Sequence, residues 1–312
     1  MLTAELAAAT RRLETAGVAS PRTDAQLLAA HVLGVPRGRL PLVREVPAEA
    51  LDRFWDLVGR RAGRAPLQHL TGEAHFRHLT LAVGPGVFVP RPETETVVGW
   101  AVEALAAEAA SAPGGRRGPG DGPVCVDLCA GSGAIALALA DEVPGAEVHA
   151  VEADPDALGY LRRNVATTGL PVRVHAADVL GIPPTGIGPD SAVAWARLPV
   201  LEALAGLLGR VDAVVSNPPY LPDADRAVVE PEVGRHDPPW ALWGGGGDGL
   251  AGPRAVAVAA AVLLRPGGLF AMEHADGQGA AVRAPLAAAG GWSEIATRRD
   301  LAGRDRFVTA RR

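Results

Sequence analysis

The sequence predicts an α/β protein: a doubly wound parallel sheet preceded by a small helical bundle and a hairpin connector. Three observations predict it. Short apolar runs at 124–128, 148–152, 172–175, 211–215 and 268–273 alternate with helical patterns and are apolar enough to be buried on both faces, as parallel strands are. A turn, Gly131-Ser132-Gly133, joins the first run to the helical Ala134-Ile135-Ala136-Leu137. Residues 1–65 show helix punctuation instead of strand alternation.

In that first segment Thr3 caps an opening helix and Gly17 stops it. Ser20 caps the next, with Pro21 at its first position and Gly34 at its end. Leu51, Phe54, Trp55 and Val58 then fall on one helical face, which assigns them to a core. Over 66–92 the period changes. Phe76, Leu79, Leu81, Val83, Val87 and Val89 are broken by Gly84-Pro85-Gly86, which predicts a hairpin or extended connector. Residues 93–312 form the third part. It opens with a helix over 93–108 and a Gly/Pro-rich mobile loop from Ser111 to Pro123, and it closes with antiparallel strands at Trp292–Ile295 and Phe307–Ala310. A long connection over 181–210 includes a helix from Trp195 to Leu208 and carries no evident chemistry.

Composition narrows the function classes. The 312 residues suffice for one large and one small domain, and 48% hydrophobic content supports an ordinary core. All 30 basic side chains are arginine; residues 1–80 carry +3 and the remainder −8 of a net −5, so no dense basic stripe for nucleic acid is present. Cys125 and Cys129, four apart, form no zinc or redox spacing and read as buried, inert thiols pointing the same way. His69, His75 and His78 read as polar loop residues, and no metal is expected. The opening residues lack a signal-peptide core, and the longest apolar run, Ala255 to Leu264, is about half a membrane span. A cytoplasmic protein, away from membranes and acting as a monomer, is the expectation.

The most informative residues are Ser216-Asn217-Pro218-Pro219-Tyr220, directly after the apolar run Val211–Val215. Two prolines remove two N–H donors and leave their carbonyls, so the turn becomes a rigid patch of acceptors suited to a planar NH2 group. Asn217 accepts one N–H through its side chain, Pro218 accepts the other through its carbonyl, and the Tyr220 ring covers the flat face, with Pro219 completing the turn. On the cofactor side stand Cys129, Ala130, Gly131, Ser132 and Gly133, with Glu152 at the end of the second strand placed to accept two ribose hydroxyls. Gly131 and Gly133 are expected where backbone approaches a ligand, and a side chain at Cys129 requires a negative φ. The glycine spacing alone also fits a dinucleotide fingerprint. Asp178 and Val179, suited to an adenine amino group and its apolar face, together with the acceptor turn, point instead to S-adenosylmethionine, with S-adenosylhomocysteine as product. Asn217 belongs to both halves of the site.

These residues resemble the bacterial release-factor glutamine methyltransferases over nearly the whole chain. The resemblance runs from Pro66-Leu67-Gln68-His69-Leu70-Thr71-Gly72-Glu73 through Phe88-Val89-Pro90-Arg91-Pro92-Glu93-Thr94-Glu95, the glycine loop and Asn217-Pro218-Pro219-Tyr220. It continues in Glu230-Pro231-Glu232-Val233, Gly247-Asp248-Gly249-Leu250 and Arg265-Pro266-Gly267-Gly268. It implies a Rossmann-like class I methyltransferase domain that alkylates the side-chain amide of the glutamine in the Gly-Gly-Gln loop of peptide release factors, with the helical domain helping to hold that protein. This chain departs from the family's pattern at Cys129, usually Gly, at Ala130, usually Thr, and at Glu152, commonly Asp.

Three other readings share parts of this pattern. A ribosomal-protein glutamine methyltransferase differs only in docking surface. An adenine-specific nucleic-acid methyltransferase uses the same acceptor turn on a flipped base, against which the acidic balance of the catalytic half stands. A dinucleotide-dependent oxidoreductase, or a non-catalytic nucleotide-binding module, would share the glycine loop alone. No carboxylate or histidine is expected beside the acceptor turn; Glu273, His274 and Gln278 read as a solvated loop, with the lining of the acceptor entrance as the alternative, and Arg91, Glu93 and Glu95 either order the connector or form surface ion pairs.

Overall fold

A computed structural model describes residues 2–111, 122–179 and 199–312, which form two compact units. The loop expected from Ser111 to Pro123 and the first part of the 181–210 connection lie largely outside the described residues. Of the helix expected over Trp195–Leu208, the described part is a short helix, Pro199–Ala203, and a 3-10 turn, Ala205–Leu207.

The first unit comprises residues 1–73 with 83–85 and 229–237. Its helices are α1 (Leu2–Thr15), α2 (Pro21–Leu33), α3 (Ala48–Ala62) and α4 (Leu67–Thr71). They close on Leu13, Leu28, Phe54 and Val58, all buried; each such side chain contributes about 1.5–3 kcal/mol by leaving water. Pro21 starts α2 and Gly34 ends it at φ 64°, but the Ser20 side chain makes no cap bond. Its backbone, at φ −125° and ψ 58°, is outside the extended region from which a cap hydroxyl reaches back to the helix. Helix α4 stands where an extended connector is expected, because Pro66 sets its entry and Gly72, at φ 78°, ends it after little more than a turn. The segment 229–237 joins this unit through Glu232, which accepts Arg61 Nη1 at 2.9 Å and Arg64 Nη2 at 2.5 Å; Arg61 Nε also meets Asp24 at 2.7 Å.

The second unit contains, from Ala74 on, the hairpin β1 (Glu73–Phe76) and β2 (Leu79–Ala82), then α5 (Pro92–Ser111), β3 (Val124–Leu128), α6 (Ala134–Glu142), β4 (Glu147–Glu152), α7 (Pro155–Thr168) and β5 (Val172–Ala176). After these come β6 (Val211–Ser216), β7 (Leu264–Glu273), β8 (Ser293–Arg299) and β9 (Asp305–Arg311). The large sheet has the order β5-β4-β3-β6-β7-β9-β8, parallel except at β9, which runs antiparallel to both of its neighbours. One face packs Val148, Ala150, Ala213, Val215 and Phe307 against α5, α6 and α7. The other packs Val126, Leu128, Val214, Phe270 and Met272 against the helices Ala251–Leu263 and Gly279–Ala289. Burial on both faces explains why these strands read as unbroken apolar runs.

Cys125 and Cys129 do not point the same way: Cys125 lies in the first of these cores and Cys129 packs against the second. Strand geometry ends at Leu128, so the alternation that would align them is lost. No helix among the described residues is long and apolar enough to cross a membrane.

Candidate active site

The chain winds outward from β3 through β4 to β5, then returns to lay β6 on the other side of β3. Ligands of open α/β sheets gather at this reversal, beyond the strand C-termini. Leu128 and Ser216 are register partners, and Ser216 Oγ donates to the Leu128 carbonyl at 2.6 Å. The glycine loop and the Asn-Pro-Pro-Tyr turn therefore leave the sheet side by side. Both line one cleft of about 390 Å³, within the range of small-molecule sites. Its walls carry Cys129, Ala130, Gly131, Ser132, Glu152, Asp178, Val179, Asn217 and Pro219.

Cys129 has φ 64°, which corrects the expectation of a negative value. A non-glycine residue in the left-handed region costs on the order of 1–3 kcal/mol, and the loop around it is over-determined. Ala130 N–H donates to Val151 O at 2.9 Å, Gly133 N–H to Ala130 O at 2.8 Å and Gly131 N–H to Glu152 Oε2 at 2.7 Å. Gly133 is not among the cleft-lining residues. A Cβ there would lie 2.5 Å from Leu161 Cδ1, so this glycine serves close packing of α6 on α7. At the start of α6, Asp127 Oδ2 accepts the Ala136 N–H at 3.0 Å, and burial pushes that carboxyl well above the usual range.

Glu152 carries more structure than a ribose acceptor needs. Besides Gly131, its Oε1 accepts the N–H of Ala153 at 2.8 Å and of Asp154 at 2.9 Å. Burial raises its pKa while these three backbone donors oppose the rise. Two donors fill Oε1, so one lone-pair site, on Oε2, remains for a further donor, which leaves room for one ribose hydroxyl where two were expected. Asp178 and Val179 follow the end of β5, the first exposed and the second buried, which supplies a polar and an apolar contact on the same wall. A carboxylate pair, an apolar strip of Val151, Val179 and Ile135 and a close-approaching glycine loop fit a nucleoside-bearing methyl donor. Among the described residues no group of three or more His, Cys, Asp or Glu could hold a metal.

On the acceptor side, Asn217 Nδ2 donates to Thr94 Oγ1 at 3.1 Å, and Thr94 Oγ1 donates to Glu273 Oε2 at 2.7 Å. The other oxygen, Glu273 Oε1, accepts the Tyr220 hydroxyl at 2.9 Å. A carboxylate does stand behind the turn, contrary to expectation, and Glu273 and His274 are buried rather than part of a solvated loop. Burial pushes the Glu273 carboxyl upward, against the two hydroxyls and the nearby Arg306 guanidinium. Burial, and next the Glu273 charge, hold the Tyr220 phenol well above its ordinary value, so it stays a donor. Pro218 and Tyr220 are not among the residues that line the cleft; the Tyr220 hydroxyl is committed to Glu273 instead.

The turn is braced from outside. Leu221 N–H donates to Leu242 O at 2.8 Å, and Gln278 Nε2 donates to Tyr220 O at 2.9 Å, so Gln278 is a brace rather than an entrance residue. Gly249, at φ 76°, lets its loop pass where a Cβ would be 2.3 Å from Tyr220 O. In the Pro-Arg-Pro-Glu-Thr-Glu segment the acidic residues divide their work. Glu95 accepts the N–H of Arg77 in the β1–β2 turn at 3.1 Å, whereas Glu93 makes an exposed pair with Arg304 at 3.2 Å. Arg91 lies over the ring of Phe88, which lines the cleft with Phe76, Pro90 and the half-exposed Trp240.

Sequence reasoning misread Glu273 and missed Thr94 and Asn164. The last donates through Nδ2 to Ser132 O at 2.9 Å and accepts Ala82 N–H at 2.7 Å, which ties the hairpin to the glycine loop. A single carboxylate closing the apolar run Leu269-Phe270-Ala271-Met272-Glu273 was the available signal.

Comparison with known proteins agrees with this geometry. Residues 5–72 match the family described as PrmC N-terminal domain, and residues 125–217 match one described as methyltransferase domain. The release factor glutamine methyltransferase of Streptomyces coelicolor is 47% identical over 100% of this chain and 98% of its own length. The chain belongs to the release factor glutamine methyltransferase family. The Mycolicibacterium smegmatis member is 49% identical over 98% of this chain and 95% of its own, and the Deinococcus radiodurans member 41% over 98% and 97%. Family membership therefore extends across the helical bundle as well as the sheet. It makes this protein an α/β methyltransferase and an enzyme.

Proposed function

We propose that this chain transfers a methyl group from S-adenosylmethionine to the side-chain amide nitrogen of the glutamine in the Gly-Gly-Gln loop of peptide release factors. The observation that supports the reading is the pairing of Leu128 with Ser216, because it sets the glycine loop and the Asn-Pro-Pro-Tyr turn on one cleft. When bound, S-adenosylmethionine supplies an electrophilic methyl on a sulfonium. Cys129 to Ser132, Glu152, Asp178 and Val179 would hold it. Gly133 supports that loop from behind.

An amide nitrogen is a poor nucleophile because its lone pair is delocalised into the carbonyl. Asn217 Oδ1 and the Pro218 carbonyl would accept both N–H groups of the glutamine, aim the nitrogen and meet the positive charge that develops on it. Tyr220 stiffens this turn through Glu273 rather than by lying on the acceptor. No strong base is required, since an alkylated amide nitrogen is acidic enough to lose its proton to water. The bundle of the first unit would take part in holding the protein substrate.

Incubation with labelled donor and purified release factor, followed by mass mapping, tests the reading. Label on the Gly-Gly-Gln glutamine supports it. Label that appears only on a ribosomal protein or an oligonucleotide sinks it.

A further inference from the structure

We propose that Thr94 and Glu273 are positioning residues that decide which end of the Asn217 carboxamide faces the acceptor; this rests on the reading that Asn217 accepts the acceptor's N–H. A carboxamide has nearly the same shape after a half-turn about its last torsion, yet only one of its two ends can accept. With the NH2 end inward, Asn217 would meet the glutamine NH2 donor to donor, and no productive contact would form. Something must hold the oxygen inward.

The buried chain behind the turn does so by running one way. Thr94 is 4% and Glu273 1% exposed. A hydroxyl has a single hydrogen, and that of Thr94 is directed at Glu273 Oε2, 2.7 Å away, where a charge-assisted bond in a dry setting is strong. The Thr94 oxygen therefore shows only lone pairs to Asn217. The Nδ2 end, at 3.1 Å, is the one that fits there, and Oδ1 is left for the cleft. Glu273 is kept an acceptor at its other oxygen by the Tyr220 hydroxyl at 2.9 Å. Tyr220 and Asn217 belong to the same turn, so the turn orients its own asparagine through Glu273 and Thr94. In this light the threonine within Pro-Arg-Pro-Glu-Thr-Glu and the acid that closes β7 have a common purpose.

The test compares Thr94→Val, Thr94→Ser and Glu273→Gln, alone and combined with Asn217→Ala, with release factor as acceptor. Thr94→Val keeps the shape and removes the hydroxyl. It should lower kcat roughly tenfold or more, while the affinity for S-adenosylmethionine by calorimetry stays within about twofold. Thr94→Ser should restore most of that loss. Glu273→Gln can donate to Thr94, free its hydrogen for Asn217 Oδ1, and so should resemble Thr94→Val. The side-chain amide resonance of Asn217, identified by its loss in Asn217→Ala, should move in Thr94→Val and return in Thr94→Ser.

In the Asn217→Ala background the Thr94→Val change should cost nothing further, because the residue it acts through is gone. Wild-type turnover in Thr94→Val, or losses that multiply in the double variant, would overturn the inference. If Asn217→Ala itself turns over normally, the underlying functional reading fails instead. Should Glu273→Gln not fold, the threonine pair decides alone.

Discussion

Asn217 and Thr94, separated by 123 positions in the chain, are joined by a 3.1 Å hydrogen bond in which the carboxamide donates to the hydroxyl. The bond ties the end of β6 to the first turn of α5, two elements with no shared sequence signal. It turns the Asn-Pro-Pro-Tyr segment from a rigid backbone feature into a site with a fixed polarity. Its consequences are measurable.

Asn217→Ala should lower kcat by on the order of a hundredfold or more, with the affinity for S-adenosylmethionine nearly unchanged. Calorimetry beside steady-state kinetics on a release factor separates the two. Equal losses in both would mean that Asn217 serves the cofactor.

Gly133→Ala should destabilise the fold by about 1–3 kcal/mol, through its φ of 88° and the contact with Leu161. Denaturant unfolding checks this. Because Gly133 does not line the cleft, the folded fraction should keep donor affinity within a few-fold.

Glu152→Ala removes the acceptor of three backbone N–H groups as well as the predicted ribose contact. Donor affinity should fall by about tenfold or more, and the melting temperature should fall with it, because the part-buried donors of Gly131 and Asp154 are left unmet. A loss of affinity with an unchanged melting temperature would mean that the loop holds itself.

Stability should decline in mild acid through His149 and His175, whose rings stack 5.1 Å apart with Nδ1 and Nε2 at 2.8 Å. Burial depresses both, and the neighbouring Arg173 adds to the effect while Glu147 opposes it at His149. The unfolded chain then takes up protons more readily, so this stability is present above the ordinary imidazole value of about 6.5 and is lost as pH falls through the folded values. Melting curves from about pH 7.5 to 5.5 should show the drop, and His175→Gln should flatten it. An unaltered slope in that variant would assign the effect elsewhere.

The parallel strands were legible because burial on both faces writes itself as continuous apolar sequence, and the two turns were legible because Gly and Pro mark them. The relation between the turns needed only strand order. What local pattern could not supply were partners brought together by topology. Thr94 looks like any residue in a first helical turn, and Glu273 looks like the polar end of a strand. Asn164 sits among the polar residues of α7 until Ser132 and Ala82 arrive beside it. At the left-handed Cys129 a rule about single residues gives way to a loop held at the amides of Ala130, Gly131 and Gly133. At Tyr220 the aromatic ring advertises stacking more loudly than its hydroxyl advertises a buried carboxylate.

The setting of Cys129 has a chemical consequence. Cys129 is among the residues that line a cleft proposed to receive a sulfonium, and a thiol is a potential rival for the methyl group. Burial, and then the charges of Glu152, Asp127 and Asp178, hold the Cys129 thiol well above its ordinary pKa. Thiols attack as thiolates. Burial first, and then the acidic wall that suits a cationic donor, thus bias this sulfur toward the unreactive thiol.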